Sequence, residues 1–139
     1  MSSRTKSRKR AVDALFAADV REVAASQMLD DAKIQNADRQ NQDQIFEYAK
    51  SIVDGVTEHL ADIDTYLEAY SQGWTLERMP ALDRTIMRVA VWEILYNDDI
   101  PDGVAIDEAV ELAKEYSTDD SPSFVNGLLH KVSSTKRAL

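Results

Sequence analysis

Five cations crowd the first ten residues: Arg4, Lys6, Arg8, Lys9 and Arg10, with no acid among them. Guanidinium forks pair bidentately with phosphate oxygens and ammonium groups attract them as point charges, so this cluster suits the holding of a polyanion such as an RNA backbone. A disordered solubilising tail is the other reading of so short a basic terminus. Phe16 and Phe124 are candidates to stack on splayed bases, as single-stranded RNA recognition requires. Spacing alone favours a core position for Phe16.

Catalytic chemistry has no comparable cluster. The two imidazoles, His59 and His130, stand on separate predicted helices without ligand-type spacing, which argues against a metal site or an activated nucleophile. There is no cysteine, so thiol and Cys-zinc chemistry is excluded. No phosphate-cradling glycine loop or dinucleotide fingerprint occurs. Asp119 and Asp120 are adjacent acids rather than the staggered ligands of a calcium loop. The expectation is a non-enzymatic protein without metal or cofactor.

The elements that must position the cations are helices. Only four Gly and three Pro occur in 139 residues, and the length suits one domain, residues 1–139, with a basic arm over about 1–10. The net charge is −9, yet five of the sixteen Lys and Arg lie in that arm, leaving eleven against 25 acids elsewhere. The chain reads as a basic arm on an acidic body. Without an apolar signal segment or a run long enough to span a bilayer, it reads as cytoplasmic.

The most apolar stretch, Pro80 to Tyr96, predicts a helix buried nearly all round, started by Pro80 at its first position and serving as the hub of a bundle. Asp83 and Arg84, near its start, are expected at a polar surface. Before it, the arm runs into a helix carrying Val12, Leu15 and Phe16. Ser26 is expected to cap a short helix with Met28, Leu29, Ala32 and Ile34 inward. Ile45 to Tyr70 repeats by threes and fours, predicting one long helix or two collinear ones broken near Ala61 and Asp62, with core packing preferred over a coiled coil. Gly73 is expected just past that helix, and Trp74 either plugs the core or rims a surface. Beyond the hub, residues 104–116 predict an amphipathic helix. Ser121 followed by Pro122 predicts a capped last helix, with Gly127 admitting a close neighbour.

RKRAVDALF, LERMPALDRTIMRVAVWEIL and IPDGVAIDEAVELAKEYSTDDSPSFVNGLLHKV stand in an order that resembles the NusB family of transcription antitermination factors over nearly the whole chain. The most specific blocks are Val104–Lys114 and Asp120–Gly127, and TDDSP is most similar to actinobacterial members. The resemblance implies an all-α fold of two packed helical bundles. It implies binding of boxA RNA together with ribosomal protein uS10 (NusE), linked through other Nus factors to RNA polymerase, which then resists termination on ribosomal RNA operons. By position, it implies that Arg4, Lys6, Arg8, Lys9, Arg10, Phe16, Asp120, Ser121 and Phe124 face RNA, and that Glu77 and Asp83 face NusE. Phe16 departs from the Tyr of many members and lacks its hydroxyl. Homodimers that cover the RNA surface occur in the family, and that assembly stays open. The alternatives are the NusB-like N-terminal domain of a ribosomal RNA cytosine methyltransferase, for which a chain ending at Leu139 leaves no cofactor domain, and a protein-only adaptor.

Overall fold

The computed structural model describes residues 2–138, which form seven α-helices: α1 (Ser3–Arg21), α2 (Ala25–Gln35), α3 (Gln42–Glu58), α4 (Leu60–Tyr70), α5 (Ala81–Tyr96), α6 (Asp102–Tyr116) and α7 (Ser121–Ala138). A short 3-10 turn, Leu76–Arg78, precedes α5, and no strand occurs among the described residues. Helices α1, α2 and α3 pack on one another, as do α4 to α7, and α5 touches α1, α3, α4, α6 and α7. The hub predicted from Pro80–Tyr96 is therefore α5. Ile86, Met87, Val91 and Ile94 on it are fully buried, as an all-round apolar helix requires.

Several boundaries differ from the sequence expectation. Pro80 is the N-cap rather than the first helical residue; its extended ψ of 134° places it before the helix, and its carbonyl accepts from the Arg84 amide. Helix α2 starts one residue before Ser26, which lies inside it and caps nothing. Ile34 is 75% exposed, because it falls on the outer side of a short helix near its C-terminal end. The 45–70 pattern is two helices divided at His59, two positions before the expected break. Helix α4 ends at a Ser71 C-cap, after which Gln72 and Gly73 both take positive φ, 58° and 90°. Glycine adopts such angles without a steric penalty, whereas Gln72 does not.

The glycine that matters for packing is Gly55, not Gly127. A Cβ on Gly55 would fall 1.9 Å from Trp92 Nε1, whereas one on Gly127 would meet nothing within 4 Å. Gly55 thus lets α3 approach the hub helix with the Trp92 indole between them.

The larger correction concerns the N-terminus. It is not a free arm but the first half of α1, opened by the Ser2 side chain, which accepts from the Thr5 amide. Basic residues with no acid in the first turn oppose the helix macrodipole, so local electrostatics do not hold this segment helical. Packing does: Ser7, Arg8, Ala11, Val12 and Ala14 are all buried. That stripe repeats by threes and fours, so the periodicity of the later apolar run extends back into the cationic stretch.

Candidate nucleic-acid interface

The five N-terminal cations separate by the direction in which each leaves α1. Arg8 points inward and is 2% exposed. Its Nε donates to Glu93 Oε1 at 2.9 Å and its Nη2 to Glu93 Oε2 at 2.9 Å, the bidentate fork that suits guanidinium and carboxylate. Nη1 also reaches Glu108 at 3.2 Å, and Thr5 donates to the same Glu108 oxygen at 2.7 Å. The Tyr48 hydroxyl donates to Glu93 as well. Burial works against the Arg8 charge, but the bonds and charge of Glu93 outweigh it and hold its pKa above the ordinary value. Burial, and next the Glu93 charge, push the Tyr48 phenol well above the usual tyrosine range, so it remains a neutral donor. Arg8 is accordingly an internal ion-pair partner with no donor directed at solvent phosphate. The expectation that it faces RNA fails because α1 turns it onto α5.

Of the other four, Arg4 and Lys6 are exposed, while Lys9 and Arg10 are half-buried. The Arg4 guanidinium sits 3.8 Å from the centre of the Tyr48 ring. Lys9 pairs with Glu115 at 2.8 Å, and Arg10 donates to Asn36 Oδ1 at 3.2 Å. Lys6 makes no ion pair among the described residues and is exposed. Lys6, Lys9, Arg10 and Asp13 on α1 line a groove together with residues 38–41 of the α2–α3 connection, the start of α3 and Tyr116, so that two acids, Asp13 and Asp38, stand among its cations. Arg39 comes from that connection, exposed and likewise without an ion pair among the described residues. Sequence reasoning missed Arg39 and Tyr116. The run RQNQD lacks apolar residues and reads as a bare loop; only tertiary packing brings it opposite the cations.

Positions 6, 9, 13 and 16 are three and four apart on α1, so Phe16 continues the stripe that lines the groove. Phe16 is half-buried and belongs neither to the core nor to the side chains packed at its margin. A core placement, favoured by spacing, is therefore wrong for it. Phe124 is half-buried against the core, and its ring lies 5.7 Å from that of Trp74, tilted by 34°. Trp74 is 50% exposed, so it rims a surface rather than plugging the core. Its backbone is pinned to Ser71, whose carbonyl accepts from Trp74 N–H and whose hydroxyl donates to Trp74 C=O. Tilted rings near this separation attract through their quadrupoles, leaving an aromatic edge toward solvent.

Asp120 is exposed at the α6–α7 turn, as expected. Ser121 is not: it is 3% exposed, and its hydroxyl donates to Asp83 Oδ2 at 2.6 Å. Asp83 is also 3% exposed and accepts from Ser117. The assignment of Asp83 to a partner-facing surface fails, because the carboxylate turns inward to two hydroxyls. Glu77, in the 3-10 turn, is exposed. Arg84, expected at the same polar surface, fastens α5 instead, donating to Leu76 C=O and to Asp19.

His59 stacks on Tyr96 with centroids 3.8 Å apart. Among the described residues no group of three His, Cys, Asp or Glu is placed to hold a metal. No described helix is long and apolar enough to cross a membrane.

Comparison with known proteins agrees with this architecture. Residues 5–134 match the NusB family. The transcription antitermination protein NusB of Arthrobacter sp. (strain FB24) is 54% identical over 140 residues, spanning all of this chain and 98% of the relative. Among solved structures, T. maritima NusB is 32% identical, with a TM-score of 0.86 over all of this chain and 99% of its own. A chain from a crystal structure of antitermination factors NusB and NusE in complex with dsRNA has a TM-score of 0.85 at 24% identity, over 97% of this chain and 98% of its own, which shows the shared fold.

Proposed function

The chain belongs to the NusB family, and on that premise we propose that it is a non-enzymatic transcription antitermination factor of the cytoplasm, holding boxA-type RNA together with ribosomal protein uS10 (NusE). The observation that carries the RNA reading is the groove in which Lys6, Lys9, Arg10 and Arg39 converge from two separate elements and outnumber the lining acids Asp13 and Asp38. Cations brought together from two elements attract a strand lying along them, and each neutralised phosphate releases counterions. Amide side chains at Gln40, Asn41 and Gln42 add donors and acceptors beside the charges.

Phosphate contacts position a strand, while stacking and base-edge contacts discriminate among sequences. Phe16 lies farther along the same face of α1 by helical spacing, and Trp74 with Phe124 supplies the aromatic edge beside Asp120. Arg8 and Ser121 serve this face from inside, and the direct contacts fall to Arg4, Lys6, Lys9, Arg10, Arg39, Phe16, Trp74, Asp120 and Phe124. For NusE, the exposed Glu77 remains the candidate contact, since a basic ribosomal protein suits an acidic docking surface. Other Nus factors and RNA polymerase would be reached through that pair. The match over the full length of antitermination relatives favours this reading over a methyltransferase fragment.

A gel-shift titration tests it. The chain with uS10 should bind boxA-type RNA more tightly than the chain alone and in preference to a scrambled RNA; equal affinity for both RNAs would refute it. Light scattering of the free chain, then with uS10 and RNA, reads whether a homodimer must part first.

A further inference from the structure

We propose that Asp83 is a positioning residue for the RNA face: its buried carboxylate clamps both ends of the α6–α7 turn and so fixes where Asp120 and Phe124 stand. This rests on the RNA-binding reading above and assigns to Asp83 a role distinct from partner docking.

Helix α6 ends at its C-cap Ser117, whose extended backbone, φ −127° and ψ −165°, turns the chain away sharply. Helix α7 begins at Ser121, so only Thr118, Asp119 and Asp120 lie between. These three are exposed, while Ser121 at the far end is buried. The turn is thus a surface loop tied down at its ends. Ser117 Oγ donates to Asp83 Oδ1 at 2.5 Å and Ser121 Oγ donates to Oδ2 at 2.6 Å, bringing the two hydroxyl oxygens within 2.9 Å of each other. Each serine has one hydroxyl proton, and both protons go to the carboxylate. Thr118 Oγ1, 3.1 Å from Ser121 Oγ, therefore donates into Ser121 and ties the exposed part of the turn to the same centre.

Both hydroxyls belong to the turn, and Asp83 sits in the first turn of the buried hub helix. A buried carboxylate is stable only where donors surround it, so the position of this one dictates the position of the turn. Phe124 lies one helical turn beyond Ser121, and its amide donates to Asp120 C=O at 3.3 Å. Displacement of Ser121 passes directly to Asp120, to Phe124 and, through the ring contact, to Trp74. A recognition surface held by such a supporting bond loses affinity when the support is removed, although every group that touches the ligand is still present.

The test is Asp83→Asn, which keeps the shape but presents one acceptor and one donor, so that one serine hydroxyl must turn away. Affinity for a fluorescein-labelled boxA-type RNA is read by anisotropy, and affinity for uS10 without RNA by calorimetry, both below the unfolding transition. RNA affinity should fall about tenfold, as expected for a hydrogen bond to a charged group, with uS10 affinity unchanged. Ser117→Ala with Ser121→Ala should lose a similar amount, and adding Asp83→Asn to that pair should lose little more, because all three act through one shared hydrogen-bonded centre. The serine pair carries the test if Asp83→Asn does not fold. Unchanged RNA affinity, additive losses, or an equal loss of uS10 affinity would overturn the proposal. Native chain that fails to bind boxA RNA sinks the functional reading and the proposal together; native binding that survives Asp83→Asn sinks the proposal alone.

Discussion

Among the N-terminal cations, Arg8 and Lys6 leave α1 at different angles, and that angle separates an internal strut from an exposed cation. Arg8→Met leaves Glu93 buried with its main counter-charge gone, and removing one partner of a buried pair costs about 3–5 kcal/mol. Urea unfolding should show that loss, and an unshifted midpoint would place Arg8 outside the core. Combining it with Glu93→Leu should recover most of the stability, because apolar replacement of both partners removes the orphaned charge. Lys6→Ala and Arg39→Ala should instead leave the melting temperature unchanged and weaken RNA binding. With a single-stranded RNA, the slope of log affinity against log salt should flatten by about 0.7 for each phosphate that is no longer neutralised. Flattening with Lys6→Ala but not with Arg39→Ala would remove the α2–α3 connection from the groove wall.

At the scale of elements, α1 is a helix whose charges oppose its dipole and whose buried stripe wins. Amides over residues 7–12 should exchange with solvent as slowly as those near the middle of α5, as read by native-state hydrogen exchange; fast exchange would restore the flexible arm. The α3–α5 contact depends on Gly55, and Gly55→Ala drives a methyl into the Trp92 indole. Overpacking of this kind costs about 1–3 kcal/mol, measurable as a lower thermal midpoint with a perturbed Trp92 emission. The α6–α7 turn shows a complementary arrangement, in which exposed residues gain order from a carboxylate on a different helix.

Across the whole molecule, an acidic body carries a groove whose lining cations outnumber its acids, so binding of a polyanion is expected to be local and strongly weakened by salt. The RNA affinity of the complex with uS10 should therefore fall steeply from low to moderate ionic strength; a flat salt response would rule out phosphate neutralisation as the driving interaction. The sequence by itself determined the helical class, the hub at Pro80–Tyr96 and the basic character of the N-terminus, because periodicity and composition are properties of local chain. The VAIDEAVELAK and FVNG blocks carried the family. Tertiary structure alone decided that Arg8, Asp83 and Ser121 face inward, that Arg39 joins Lys6 and Lys9, and that Trp74 meets Phe124. Those outcomes depend on which side of each helix meets which neighbour. A charged residue in a helical stripe reads as solvated until a partner from a distant helix, Glu93 for Arg8 or Ser121 for Asp83, compensates the loss of water.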